Sequence, residues 1–343
     1  MLRHLCTSAI TSLTLLAATL HAADTPPTAG AVGETRIARW QDDKQAAFLL
    51  MFDDSWPSHW QVAAPELVKR GLIATFYLNP GKGEYQKFAA EWEQKLWKQG
   101  MVYGDHTMTH KGVKDLASAD WEIGECARLI RKMVPGPEDR LVSYGQPGVA
   151  PDDWKITEDE LNTLLKKHHL ISRPTFVGHG AVYHVQTTAQ MLALADKAIA
   201  SQGLEYLVIH GVERLTPDWG YQDFWALKQD VFFPLLDGLQ QRRDRGQLWI
   251  TDHISAHQYE TERATAEVKT LEASPQGVRL ELKSSADPKF YDLPLTLVTR
   301  VPADWKKATV SQGTISATLP TKDGFLTFPA RPNGDPIKIQ PAP

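Results

Sequence analysis

Ala46-Ala47-Phe48-Leu49-Leu50-Met51-Phe52-Asp53-Asp54 decides the fold. Seven apolar residues in a row, with no polar interruption, read as a strand buried on both faces, as in the middle of a parallel sheet. The run ends in two carboxylates. Neighbouring residues on a strand point to opposite faces, so both can serve one site only if the strand stops there and the chain turns. Sites in parallel sheets and barrels form just past the strand C-termini. Taken alone, an Asp pair at a strand end is more often a solvated turn.

Outward from this run, apolar stretches alternate with helix-period segments from Ala46 to about Glu262. Trp60–Lys69 is expected to be helical, stopped by Gly71, and Ile73–Leu78 a strand. Tyr85–Gln99 reads as a helix ended by Gly100, and Met101–Tyr103 as a third strand. Ser118 is expected to cap a helix running to Val134. Leu141–Tyr144 is strand-like, and Thr157 with Glu160 forms a capping box for a helix to His168. Thr188–Gln202 reads as helix, Leu204–Ile209 as strand, Tyr221–Arg245 as helix and Gln247–Ile250 as strand. Repeated strand–helix units of this kind predict a parallel α/β sheet or barrel. Near Ala264 the pattern changes to short period-two runs: Val278-Leu280-Leu282, Leu295–Val301, Ala308–Val310, Phe325–Phe328 and Ile337–Ile339. Turn signals separate them, so a small antiparallel β-sandwich is expected at the end of the chain.

The 343 residues are 42% hydrophobic and 23% charged, ordinary for a globular chain, with a formal net charge of −4. That balance argues against nucleic acid as a partner. Residues 1–23 have the layout of a secretory signal peptide: Arg3, an apolar stretch from Ala9 to Leu20, then His21-Ala22-Ala23. The expectation is a secreted or periplasmic protein without a membrane span, whose residues 24–36 form a flexible lead-in. Removing Cys6 with the signal leaves Cys126 alone, so no internal disulfide is expected; mid-helix, Cys126 reads as a small buried apolar residue.

Three groups of polar residues end predicted strands. Asp53-Asp54 is the first. His106 and His110 follow Met101–Tyr103, and four-residue spacing is expected to put both imidazoles on one side of a helical turn. His210 ends Leu204–Ile209. Each alone has an ordinary structural reading. Together, two His and one carboxylate suit Zn²⁺, with Co²⁺ or another first-row ion as alternatives. Trp56 is a candidate platform for a sugar face, whereas Trp60, Trp92, Trp97 and Trp121 read as helix core. Asp218-Trp219-Gly220 reads as an exposed loop near the cleft.

Phe52-Asp53-Asp54, then His106-Thr107-Met108-Thr109-His110, then Leu207-Val208-Ile209-His210 resembles the polysaccharide deacetylase family, the carbohydrate esterases with a NodB-homology domain. Ala64-Pro65-Glu66-Leu67 and Gly71-Leu72-Ile73-Ala74-Thr75-Phe76-Tyr77 also resemble its early helix and second strand. The resemblance implies a distorted (β/α) barrel over residues 37–262, with 263–343 as an accessory β-domain. It implies Asp53 as catalytic base, Asp54, His106 and His110 as metal ligands, and His210 as general acid. The implied reaction is removal of acetyl groups from an acetylated carbohydrate, as N-deacetylation of an amino-sugar oligomer or polymer. The alternatives are an O-acetyl esterase on a plant-type polysaccharide and a silent sugar-binding relative. One departure stands out. The family's base-orienting Arg is missing from Ser143-Tyr144-Gly145-Gln146-Pro147-Gly148. Arg173 is the candidate substitute, Gln146 a hydrogen-bonding one, and Gly148 N–H a possible oxyanion donor. Asp153-Trp154 is a weak match to the family's acetyl-pocket element. His179 and His184 lie on a loop within reach of the site. These motifs leave the oligomeric state open.

Overall fold

The computed structural model describes residues 30–217 and 220–343. The proposed signal peptide and the Asp218-Trp219 pair lie outside them. No helix among the described residues is long and apolar enough to cross a membrane.

The strands are β1 (Thr35–Ile37), β2 (Ala46–Phe52), β3 (Thr75–Leu78), β4 (Val102–Asp105), β5 (Val142–Tyr144), β6 (Leu170–Ser172), β7 (Leu204–Ile209) and β8 (Leu248–Thr251). They are followed by β9 (Ala266–Ser274), β10 (Gly277–Ser284), β11 (Leu295–Arg300), β12 (Lys307–Gln312), β13 (Ile315–Pro320), β14 (Phe325–Ala330) and β15 (Ile337–Pro341). The α-helices are α1 (Ala64–Lys69), α2 (Gly83–Lys87), α3 (Ala89–Gln94), α4 (Leu116–Met133), α5 (Glu158–Lys167), α6 (Thr188–Ser201), α7 (Gln229–Asp244) and α8 (His253–Thr265).

The first large layer is a parallel sheet in the order β6-β5-β4-β3-β2-β7, with β8 also on β2. All seven residues of β2 are buried, as the apolar run requires. This strand forks. Met51 and Phe52 pair with β3, whereas Ala46–Leu49 pair with β8. At the far edge, the chain after β6 lays Gly180 against Val208 of β7, partly closing the curl. The result is a distorted barrel rather than a flat sheet. Phe52 stacks on Phe76 at 4.7 Å inside the main core, which also buries Trp92 completely.

Local signals and the structure part company at instructive places. The Thr157–Glu160 capping box of α5 is present. At α4 the N-cap is Asp115, one turn earlier than expected, and Ser118 is the reciprocal partner in its box. The predicted Tyr85–Gln99 helix breaks into α2, α3 and a short 3₁₀ turn. The helix expected from Tyr221 starts only at Gln229, because Phe224 and Leu227 are drawn back to Gly211 by main-chain hydrogen bonds of 2.9 Å. Trp121, expected in the core, is 53% exposed. Cys126 is buried and unpaired, as expected.

The tail forms two antiparallel sheets, β13-β12-β15-β10-β9 and β1-β11-β14. Leu280, Leu297, Phe328 and Ile339 pack between them, so the expected sandwich is present. Two features were not visible in the sequence. Helix α8, capped by Asp252, leads into the sandwich, and its Tyr259 hydroxyl donates to Ala38 O at 3.0 Å. Strand β1 overlaps the supposed flexible lead-in and pairs with β11, Thr35 opposite Thr299. The lead-in reading therefore ends before Thr35.

Candidate metal centre and its surroundings

Asp53 N–H still donates to Ile209 O at 2.9 Å, so sheet pairing persists through Asp53. Asp54 and Ser55 then adopt φ of 80° and 58°. Left-handed backbone at two successive non-glycine residues costs about 1–3 kcal/mol each and clusters at functional sites. It supplies the turn that the adjacent carboxylates need. The histidines converge differently from expectation. Thr107 and His110 also have positive φ, 65° and 58°, so the pair is carried by a loop and not by a helical turn. Long-range bonds hold that loop. Asn79 Nδ2 donates to the carbonyls of His106 and Thr107. The buried Glu122 carboxylate of α4 accepts from Thr109 N–H at 2.8 Å and from its hydroxyl at 2.6 Å.

Asp54 Oδ1 lies 3.1 Å from His110 Nε2 and 3.6 Å from His106 Nε2. It is buried, and among the described residues it has no hydrogen bond of good geometry. His106 Nδ1 lies 2.6 Å from Gly145 O. Donation there fixes the tautomer and turns the Nε2 lone pair toward Asp54, as ligating imidazoles are commonly held. One carboxylate oxygen and two imidazole nitrogens within 4.8 Å of one another fit a borderline divalent cation. Burial pushes His106 down to about 4, so its imidazole is neutral and free to ligate.

Asp53 sits beside this cluster with a different partner. Arg173, directly after β6, donates Nη1 to Oδ1 and Nη2 to Oδ2, both at 2.7 Å. This fork-to-fork geometry is available to Arg and not to Lys. Burial alone would raise the Asp53 carboxyl, but Arg173, with His106 and His210, holds it below the usual carboxylate range. Two glycines make room for the guanidinium. A Cβ on Gly145 would come within 2.5 Å of Arg173 Nε, and one on Gly104 within 2.6 Å of the Tyr77 ring. That ring lies 4.4 Å under the Arg173 guanidinium. The charge absent from the Ser143–Gly148 stretch thus enters from the next strand.

His210 is 9% exposed, and burial lowers its pKa. Its Nδ1 has no partner among the described residues. Phe176, Phe224 and Trp225 stand edge-on to its ring at 5.0–5.6 Å. These aromatics were not singled out from the sequence, and neither was Lys82. Lys82 Nζ lies 3.7 Å from Asp54 Oδ1 and 4.9 Å over the Trp56 ring. Trp56 is therefore beside the cluster, with one face covered.

The remaining candidates divide. His179 is not brought to the cluster: it bonds Glu205 at 2.8 Å and stacks on Tyr206 at 3.9 Å, toward the start of β7. The charge of Glu205 competes for an imidazole that motif order alone leaves unassigned. His184 packs on Phe176 at 4.9 Å, behind the His210 wall. Gln146 and Trp154 line a cavity next to Arg173. Gly148 is exposed on the same loop, with open space where a Cβ would be.

Fold and site together define a class: a curled parallel α/β sheet gathering a carboxylate and two imidazoles at its strand ends, beside an arginine-clamped aspartate. Residues 41–153, which contain both aspartates and the histidine pair, match the model of the polysaccharide deacetylase family. The resemblance carried by the motifs is borne out. Gellan lyase of a Bacillus species is 23% identical over 345 residues, covering 90% of this chain and 13% of that protein. The chain thus spans a small part of that curated relative. Among solved structures, the peptidoglycan deacetylase PdaC of Bacillus subtilis is 13% identical, covering 66% of this chain and 96% of its own, with a TM-score of 0.42. A family 4 carbohydrate esterase from Streptomyces lividans is 19% identical, covering 62% and 94%, with a TM-score of 0.41. A family 4 pseudoenzyme from Bacillus anthracis is 13% identical, covering 61% and 64%, with a TM-score of 0.41.

Proposed function

We propose that the protein is a metal-dependent hydrolase that removes acetyl groups from an acetylated carbohydrate. The observation that carries this reading is the separation of two adjacent carboxylates into two environments. Asp54 faces a pair of imidazoles, and Asp53 is clamped by Arg173. A divalent cation held by Asp54, His106 and His110, with Zn²⁺ favoured by the donor set, supplies a Lewis acid and an acidified water. Asp53, kept ionised, accepts a proton from the attacking water. Arg173 fixes the direction of the Asp53 lone pairs. His210, across the β2–β7 pair from Asp53, gives a proton to the departing amine or alcohol. The aromatic wall around His210 keeps water from that transfer. The guanidinium on Asp53 supports the hydrolase over the silent-relative reading.

The test is acetate release from N-acetylglucosamine oligomers and acetylated xylan, before and after chelation. Release abolished by chelator and restored by Zn²⁺ or Co²⁺ is expected. Turnover untouched by chelation overturns the metal dependence, and no release from any acetylated glycan overturns the reaction. The two substrates separate amide from ester cleavage.

Glu122→Gln is expected to weaken Zn²⁺ affinity by roughly 10–100-fold, the usual effect of losing a group that orients ligands. Calorimetric Zn²⁺ titration checks this. Unchanged affinity would show that the 106–110 loop holds itself.

A further inference from the structure

Arg173 reaches Asp53 from the end of β6, and both of its Nη atoms are spent on that carboxylate at 2.7 Å. The flat surface under the guanidinium is the Tyr77 ring, 4.4 Å away. Tyr77 is itself tied down. Its hydroxyl oxygen lies 2.7 Å from Ser143 Oγ, which lies 2.7 Å from His253 Nδ1. The main-chain N–H of His253 donates to Thr75 Oγ1 at 3.2 Å. Thr75 and Tyr77 stand two apart on β3 and so share a face. These bonds close a ring through β3, β5 and the first residue of α8.

Thr75, Tyr77 and Ser143 are fully buried, and His253 is 7% exposed. Leu49, Met51 and Val208 pack in one apolar cluster with Tyr77. Hydroxyls and an imidazole cost free energy in such a place unless they are bonded, and a phenylalanine would fill the ring space without that requirement. Burial keeps the Tyr77 phenol protonated and pushes His253 down to about 3. The ring of bonds is therefore neutral and offers Arg173 no charge in competition with Asp53. What it offers is a fixed aromatic face.

We propose that Tyr77 is the positioning residue for Arg173. Its hydroxyl, pinned by Ser143 and His253, holds the ring that sets the plane of the guanidinium, and through it the direction of the Asp53 lone pairs. The effect on turnover rests on the acetyl-hydrolase reading. Tyr77, Ser143 and His253 are not members of the metal cluster.

The test compares Tyr77→Phe, His253→Leu and His253→Asn with the wild type. Tyr77→Phe keeps the ring and loses the pin. His253→Asn keeps a hydrogen-bonding atom near the place of Nδ1, and His253→Leu does not. Acetate release is followed on the N-acetylglucosamine tetramer and on acetylated xylotetraose. In Tyr77→Phe and His253→Leu, kcat is expected to fall roughly 10–100-fold, the scale of a small misplacement at the reacting centre, with KM and Zn²⁺ affinity close to wild type. His253→Asn is expected to recover most of that loss. In an Arg173→Lys background there is no fork to orient, so adding Tyr77→Phe is expected to cost less than about threefold. Nitrogen-15 spectra of the arginine side chains read the same device without substrate. A guanidinium clamped at both Nη atoms gives resolved Nη–H signals, assigned by their absence in Arg173→Lys, and these are expected to broaden in Tyr77→Phe. Wild-type kcat in Tyr77→Phe, a loss in KM in place of kcat, an equal loss in the lysine background, or signals that stay sharp each overturns the proposal. Equal losses in His253→Asn and His253→Leu overturn the pin. Should urea unfolding show that His253→Leu does not fold, Tyr77→Phe and its lysine-background double variant decide the matter. Failure of the hydrolase reading shows separately, as no acetate from the wild type on any substrate while the Arg173 signals still broaden in Tyr77→Phe.

Discussion

Asp53→Asn is expected to cut acetate release by roughly a thousandfold, the scale of removing a positioned general base. The amide is nearly isosteric, and Asp53 is not among the three groups facing the cation position, so Zn²⁺ affinity should stay close to wild type. Asp54→Asn is the contrast. It removes the one carboxylate of the ligand cluster and should lower affinity and turnover together. Acetate assays paired with Zn²⁺ titrations check both. Retained turnover in Asp53→Asn removes it as the base. Lost metal binding in the same variant makes it a ligand, which collapses the division of labour between the two aspartates.

Arg173→Met carries the second large effect. The side chains of Arg173 and Asp53 are 6% and 3% exposed. Removing one partner of a buried pair strands the other charge and typically costs about 3–5 kcal/mol. The pH dependence follows. In the wild type the Asp53 pKa lies below its unfolded value, so its contribution is present above about pH 4 and is lost as pH falls toward the folded value. In Arg173→Met the main charge offsetting burial is gone, with only His106 and His210 left, so the folded pKa is expected to rise above the unfolded one. The variant is then most destabilised at neutral pH and recovers as acid protonates Asp53. Urea unfolding of both proteins between pH 4 and 8 should show the gap narrowing toward acid. A gap independent of pH would mean that Arg173 acts through packing alone. Arg173→Lys keeps the charge but not the fork, so it should recover stability better than activity.

Much of the architecture was legible because it is written locally. Ala46–Phe52 could be little other than a buried strand, Leu204–Ile209 is found with the bounds its apolar pattern gave, and Thr157 with Glu160 marks the start of α5. The failures share a cause. His110 was assigned a helical turn from its spacing, but Asn79 and Glu122, distant in sequence, hold that loop in left-handed backbone. Tyr221–Lys228 has helical composition, yet its carbonyls and amides find partners at Gly211 and Glu213. Arg173 was identifiable only as a charge needed by Asp53. Its route was set by the absence of side chains at Gly145 and Gly104.

Strand β1 threads between an edge of the C-terminal sandwich and the first residues of the barrel, its partner β11 lying more than two hundred residues downstream. On the ribosome, Thr35–Ile37 emerges early and waits for almost the whole chain before it can pair. Closing so long a loop is slow. The sandwich is therefore not a detachable module: cutting the chain after Thr265 leaves β1 without its ladder and Tyr259 without the packing of Leu297 and Leu326. Nascent chains stalled just short of β11 should be protease-sensitive at their beginning as well as at their end.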